Sequence, residues 1–390
     1  REGLEAALAS IGAHADSLPI FAHKAEIIPF KLLGVRTPAA NIIKQEMLAV
    51  GGDAVTPVGA VTCAAKYVDI LLLGTLKHYK VLLQKLAQMP YFGIPQAAID
   101  LEMALTPQKL CTTLADGRVL TYEKMCVMGI LNVTPDSFYE GSRVPAMEEL
   151  VERAGRMLAA GAGVLDIGGE SARPGSDSVD GEEERRRVVP AIAALRKAYP
   201  DAVISIDTYR ADTAEAAIAA GADIINDISA MEADPRMADV VVATKAPIIL
   251  MHMRGTPKNM QQNCEYKDVV QEVAVYLAQR AQLLRERGVS ADKIILDPGV
   301  GFGKTYEMNL EIIDKLEIMQ KLNYPILLGT SRKSVIGLTL DLPVNQREEG
   351  TLVTTVYGVQ KGSAFVRVHD VKKNKRAIQM TKAIMRGHEV

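Results

Sequence analysis

The sequence predicts an α/β chain: a (β/α)8 barrel over residues 121–390, preceded by a small N-terminal α/β domain over residues 1–120. Three observations carry that prediction. Short apolar runs recur from about residue 125 onward, helically spaced segments separate them, and polar side chains gather where the runs end.

The runs are CVMGILNV (126–133), VLDIGG (164–169), VISIDT (203–208), IINDIS (224–229), IILMHM (248–253), IILDPG (294–299), ILLGTS (326–331) and AFVRVHD (364–370). They are almost continuously apolar, as strands of a parallel sheet are when helices cover their outer face. Between them lie amphipathic stretches. Met147, Leu150, Val151, Ala154 and Leu158 follow the first run, and Leu310, Ile313, Leu316 and Met319 follow the sixth. Eight such units fill roughly 265 residues, close to the ~250 typical of a closed barrel. A doubly wound open sheet is the competing architecture, because periodicity does not show closure. Asn132, Asp166, Asp207, Asn226, Asp227, His252, Asp297, Ser331 and His369 all fall at or near the C-terminal ends of the runs. In a barrel that end carries the chemistry. Any one of these residues could simply cap the next helix; clustering across the units argues against that for the set.

An apolar fraction of 48% is that of a packed globular chain, and 45 basic against 47 acidic residues leave no global field for nucleic acid or an anionic membrane. Anion binding must therefore be local. Cys63, Cys111, Cys126 and Cys264 show neither C-x-x-C pairing nor a histidine at metal-ligand spacing, which speaks against disulfides or zinc and for a reducing cytoplasm. The apolar run at residues 70–73 is far too short to span a bilayer, and the first residues do not read as a signal peptide. Because the chain starts with Arg1, the sequence leaves open a leader removed before it.

Seven segments offer chemistry. LNVTPDSFYEGSR (131–143) runs from a strand into a loop rich in amides and hydroxyls; it is either an ordinary turn or a cradle for phosphate and a hydrated magnesium ion. GGESARPGSD (168–177) presents Arg173 before Pro174, either as a surface charge or as a planar fork for an anion. SIDTYRADTA (205–214) and INDIS (225–229) bring Asp207 and Asn226 to neighbouring strand ends. DPGVGFGKT (297–305) imitates the end of a nucleotide-binding P-loop, but Pro298 stands where the first glycine is required. GTSRKSVIG (329–337) and VRVHDV (366–371) add Arg332, Lys333, Ser334, Arg367 and His369 to the same barrel mouth.

Taken in this order, the motifs resemble those of dihydropteroate synthases over residues 125–387. The resemblance implies an enzyme that joins a dihydropterin pyrophosphate to p-aminobenzoate and releases pyrophosphate, a homodimer, and a target of sulfonamides. It implies that Asp207, Asn226, Met251, Asp297, Phe302, Gly329 and Lys333 hold the pterin. Asn132, Arg367 and His369 would hold the pyrophosphate, with Asn132 sharing Mg2+ with the phosphate oxygens. Arg173, Pro174, Phe302, Lys333 and Ser334 would surround p-aminobenzoate, and Asp207, Asp297, Lys333 and Arg173 would carry the catalysis. Carboxylates suit the pterin because its guanidine-like edge is almost entirely donor. Two positions depart from the family pattern. Ala172 stands where a binding threonine is usual, and Glu140 replaces an aspartate in the first loop.

The first 120 residues lie outside the resemblance. Apolar runs at 26–34 and 67–73 and helical stretches at 38–49 and 76–88 suggest a small α/β domain, with a connection at 105–124 that includes a short hairpin at 110–122. No catalytic signature is found there, and a packing or dimer-stabilising appendage is the expectation. Two other readings of the barrel compete: a pterin-dependent methyltransferase, which would not need SRKS or RVHD, and a non-catalytic pterin binder in which Ala172 marks a decayed second site.

Overall fold

The computed structural model describes residues 8, 10–12, 14, 16, 21, 24–106, 110–133, 143–170, 179–255, 260 and 264–386. The chain divides into two compact units, Arg1–Gln108 and Lys109–Val390. The division falls ahead of residue 120 because the hairpin of strands β4 (Cys111–Thr113) and β5 (Val119–Thr121), expected in the connection, packs with the barrel. Lys293 Nζ donates to the carbonyls of Thr113 at 2.6 Å and Leu114 at 3.0 Å, and Arg118 Nη2 reaches Asp223 Oδ1 at 2.5 Å.

In the first unit β1 (Ile28–Arg36), β2 (Asp53–Val55) and β3 (Tyr67–Gly74) form an antiparallel sheet in the order β1-β3-β2. Helices Thr37–Ala49, Leu76–Leu86 and Ile94–Leu105 complete it. On β3, Val68, Ile70 and Leu72 are buried while Tyr67 and Asp69 on the other face are exposed. The core they enter includes Ile43, Met47, Leu82 and Leu101. Tyr79 sits among them and donates to the carbonyls of Ile28 at 2.6 Å and Leu72 at 3.1 Å, so its buried hydroxyl has partners.

The second unit is the barrel. Its strands are β6 (Cys126–Asn132), β7 (Val164–Gly168), β8 (Ile204–Asp207), β9 (Ile224–Asp227), β10 (Ile248–Met251), β11 (Ile294–Asp297), β12 (Leu327–Leu328) and β13 (Phe365–Val368). All ladder pairs are parallel, the order is β11-β10-β9-β8-β7-β6-β13-β12, and a parallel bridge from Leu296 to Ile326 joins the two ends. A sheet that runs round in chain order and meets itself is a closed barrel, which removes the doubly wound alternative. Every strand lies inside its predicted run, and most stop one or two residues early because the polar tails belong to the loops.

Alternation divides the strand residues into two sets. Leu165, Ile167, Ile204, Ile206, Ile248, Leu250, Ile294, Leu296, Val366 and Val368 join the large core beneath the helices. Met128, Val164, Val203, Ile224, Ile249, Ile295, Leu327 and Phe365, one from each strand or its first flanking residue, meet in a separate cluster, which is therefore the barrel interior. Leu114 of the hairpin enters that cluster and Tyr122 stacks edge-on against Phe365 at 4.9 Å, so the hairpin stoppers the N-terminal end. Among the described residues no helix is long and apolar enough to cross a membrane.

Candidate active site

The inward parity that fills the barrel floor with apolar side chains brings Asn132, Gly168, Asp207, Asn226, Met251, Asp297, Gly329 and Arg367 to its other end. Backbone register aligns four of them: Asn132 pairs with Gly168, Gly168 with Asp207, and Asp207 with Asn226. A cavity of about 360 Å³ opens there, lined by Asn132, Asp207, Phe302, Gly329, Lys333, Ser334, Arg367 and His369 among others. Gly168 leaves the room between two of these; a Cβ there would stand 3.4 Å from Asn132 Oδ1 and 3.7 Å from Asp207 Oδ2.

The floor is acidic. Arg367 donates from Nε to Asp166 Oδ2 at 2.6 Å and from Nη2 to Asp207 Oδ2 at 2.5 Å, and Asn226 Nδ2 lies 3.3 Å from Asp166. Two carboxylates thus share one guanidinium, and Asp166, wholly buried, ties it to the neighbouring amide. Burial pushes the Asp207 carboxyl up to about 7 against the downward pull of Arg367. Asp297 is raised by burial too, opposed by Lys333, and its Oδ1 accepts from Gly299 N–H at 2.7 Å. Met251 and Phe302 pack with Ile228 and Met260 as an apolar cluster.

Opposite stands a basic wall. Lys333 Nζ donates to the Val300 carbonyl and lies 4.5 Å from the centre of the Phe302 ring. Burial lowers its ammonium to about 8, opposed by Asp297. Gly329 separates these two charges; a Cβ there would stand 3.7 Å from both Asp297 Oδ2 and Lys333 Nζ. Ser331 Oγ lies 2.9 Å from His369 Nδ1 and orients that ring. The arrangement suits a flat, donor-edged ring against the carboxylates, with an anion beside Arg367 and His369.

Comparison with known proteins gives the same answer. The family described as pterin binding enzyme matches residues 128–369. The dihydropteroate synthase of Clostridium beijerinckii is 48% identical over 265 residues, which cover 68% of this chain and 96% of that protein. This chain belongs to the dihydropteroate synthase family. The solved dihydropteroate synthase of Burkholderia cenocepacia, complexed with 7,8-dihydropteroate, superposes with a TM-score of 0.64 at 39% identity and covers 72% of this chain and 98% of its own. A probable bifunctional folylpolyglutamate synthase/dihydropteroate synthase of Halobacterium salinarum is 37% identical over 353 residues, 90% of this chain and 42% of the relative. That match is longer than the barrel unit, so it takes in part of the first unit.

Two other polar residues at the strand ends turn away from the site. Asp227 has the outward parity and accepts from Ser229 N–H at 2.8 Å and Met231 N–H at 2.6 Å, fixing a turn in which Ala230 and Met231 have φ of 48° and 68°. His252 also has the outward parity; it meets Lys304 Nζ at 2.9 Å, and burial pushes its imidazole down to about 2. Ala172, Arg173, Pro174 and Glu140 lie outside the described residues. Conversely, Asp166 was visible only as a strand-end carboxylate, although its parity, two residues before Gly168, marks it as inward. Arg347 lines the cavity without a motif of its own, and Glu170 lines it from within the 168–177 segment, where only Arg173 and Pro174 were singled out. Arg210 donates to Glu170 Oε2 at 2.7 Å, Glu184 Oε2 at 2.9 Å and the Val179 carbonyl at 2.5 Å, a junction that sequence spacing does not show.

Proposed function

We propose that this chain condenses 6-hydroxymethyl-7,8-dihydropterin pyrophosphate with p-aminobenzoate to give 7,8-dihydropteroate and pyrophosphate. The observation that carries the reading is that acidic and basic side chains, Asp207 on one hand and Lys333, Arg367 and His369 on the other, line one cavity at the C-terminal end of the barrel. A mere pterin binder has no use for the second half of that site. The methyltransferase alternative has no use for Lys333, Ser334, Arg367 and His369 together.

In this reading Asp207, Asn226 and Asp297 accept from the ring nitrogens and amino group of the pterin, with Lys333 at its edge and Met251, Phe302 and Gly329 lining its pocket. Asn132, Arg367 and His369 hold the pyrophosphate. Arg173, Pro174, Phe302, Lys333 and Ser334 receive p-aminobenzoate. The C–O bond to pyrophosphate breaks first, leaving a methylene cation delocalised into the ring; the aromatic amine attacks it and then loses a proton. No protein nucleophile is required. Asp207 and Asp297 stabilise the cationic ring while Arg367 and His369 offset the charge that grows on the leaving group.

Magnesium fits this site as a visitor and not as a resident. Among the described residues no group of three or more His, Cys, Asp or Glu side chains could hold a metal ion, while Asn132 places one amide side chain on the cavity wall. A hard cation that keeps most of its waters and takes further oxygens from pyrophosphate needs little more. When bound it would neutralise the leaving group. A homodimer and a cytoplasmic location belong to the same proposal.

The test supplies the dihydropterin pyrophosphate, magnesium and p-aminobenzoate, and follows pyrophosphate release together with dihydropteroate. Both products in equal amounts are expected. Binding without turnover, or methyl transfer from a reduced folate to a corrinoid, would refute the proposal. Asp297→Asn and Lys333→Ala should each lower turnover by two orders of magnitude or more, about 3 kcal/mol of transition-state stabilisation. Near-normal turnover in both would remove these residues from the chemistry.

A further inference from the structure

We propose that Lys304, which no step of the reaction uses, is a positioning residue: it holds the 299–303 loop so that Asp297, Lys333 and Phe302 face one another across the cavity. The proposal rests on the assignment of those three residues to substrate binding.

Lys304 is 2% exposed, among the largest fully buried side chains of the chain. Its Nζ lies 2.9 Å from the Gly299 carbonyl, 2.8 Å from that of Phe302, 3.3 Å from that of His252 and 2.9 Å from His252 Nδ1. A P-loop lysine reaches outward to phosphate. This one is turned into the protein and collects backbone oxygens instead. The loop is shaped to let it do so. Gly299, Gly301 and Gly303 have φ of 69°, 87° and 63°, left-handed values that glycine adopts without strain. A Cβ on Gly299 would stand 1.9 Å from the His252 carbonyl oxygen, and one on Gly303 would stand 2.7 Å from that of Arg254. Every second residue is thus a glycine so that the chain can curl round the amine.

The outer side of the same curl meets the cavity at three points. Gly299 N–H donates to Asp297 Oδ1 at 2.7 Å. The Val300 carbonyl accepts from Lys333 Nζ. The Phe302 ring lies 4.5 Å from that ammonium and lines the cavity. Inner and outer contacts interleave between residues 299 and 302; Asn309 Oδ1 accepts from Gly301 N–H at 2.6 Å and Tyr266 donates to the Gly303 carbonyl at 2.9 Å, so loss of the inner anchor loosens the outer contacts without unfolding the loop. Burial also drives the Lys304 ammonium well below its usual range, and such a group persists only where its neighbours use it. An apolar side chain of similar length would fill the space equally well; the hydrogen bonds are what it would lack.

The test is a double-mutant cycle on kcat/KM for the dihydropterin pyrophosphate. Lys304→Met is expected to lower it by roughly 10²-fold in the parent chain, the scale of a misplacement of about 1 Å remote from the chemistry. In a Lys333→Ala background the same substitution should cost several-fold less than in the parent chain, since one of the three contacts it positions is already gone. Lys304→Arg, which keeps donors, should recover part of the loss. Equal losses in both backgrounds, or no loss in either, would overturn the proposal. If Lys304→Met does not fold, His252→Phe removes the Nδ1 contact and leaves every backbone acceptor in place; the same cycle is then run on it with the same criterion. Failure of the underlying site assignment is distinguishable, because Lys333→Ala alone would then leave kcat/KM unchanged.

Discussion

Replacing Arg367 with methionine removes the one guanidinium that Asp166 and Asp207 share. Both carboxylates stay where they are, with side chains 0% and 12% exposed, and the variant leaves them facing each other without their cation. Breaking a buried ion pair by deleting one partner costs about 3–5 kcal/mol. In a domain of this size each kcal/mol moves Tm by about 2–4 °C, so a fall of roughly 10 °C is expected at pH 8. The loss should depend on pH with a definite sign. Burial holds the Asp207 carboxyl at about 7, above the ~3.9 of an unfolded chain, so the folded chain binds that proton more tightly. Its contribution therefore favours folding at low pH and declines as pH rises from about 4 through about 7. Without the guanidinium the upward push is unopposed and the decline extends further. Thermal unfolding of parent and variant at pH 8 and pH 6 reads this out: the Tm difference should shrink by roughly a third at pH 6, because the variant gains about 1.4 kcal/mol more than the parent from proton uptake over that range. An equal difference at both pH values, or none at pH 8, would refute the electrostatic account of the barrel floor.

Two glycines should respond oppositely to alanine. Gly299→Ala meets a carbonyl oxygen at 1.9 Å with φ at 69° and should destabilise the fold by roughly 2 kcal/mol or more, measured by urea unfolding. Gly329→Ala has its nearest neighbours at 3.7 Å, so stability should stay within about 0.5 kcal/mol. Its methyl group would intrude between Asp297 and Lys333, and steady-state kinetics should show KM for the dihydropterin up about tenfold. EDTA should abolish pyrophosphate release and leave Tm within about 1 °C, because the metal is expected to bind with substrate and not as part of the fold. Leu114→Ala, at the stopper of the barrel, should cost about 2–5 kcal/mol in chemical denaturation while KM values hold.

Much of the barrel could be read from the chain because its strands are apolar on both faces and short, so each run announces itself. Asp207, Asn226 and Asp297 were legible because polar residues end run after run, and because the motifs around them resemble those of a known family. Asp227 and His252 satisfied that criterion equally and serve the loops instead, since position at a strand end does not fix parity. Helix Ile94–Leu105 escaped notice because Gly93 and Pro95 suggest a turn, whereas proline in a first helical turn gives up no needed donor. Lys304 was legible only as half of a failed motif. Its role depends on four acceptors from residues 252, 299 and 302 that fold around it, and no spacing encodes that enclosure.

The hairpin at the N-terminal end of the barrel has a consequence for the order of events. Among the described residues, Leu114 and the ring of interior side chains fill that end, so the cavity lies beyond them at the C-terminal end of the barrel. A molecule seated on Asn226 and Asp297, both nearly buried, lies deeper than anything that rests on the exposed Ser334. Depth of this kind favours an order of arrival, the deeper molecule first and the shallower after it, which product-inhibition kinetics would read out.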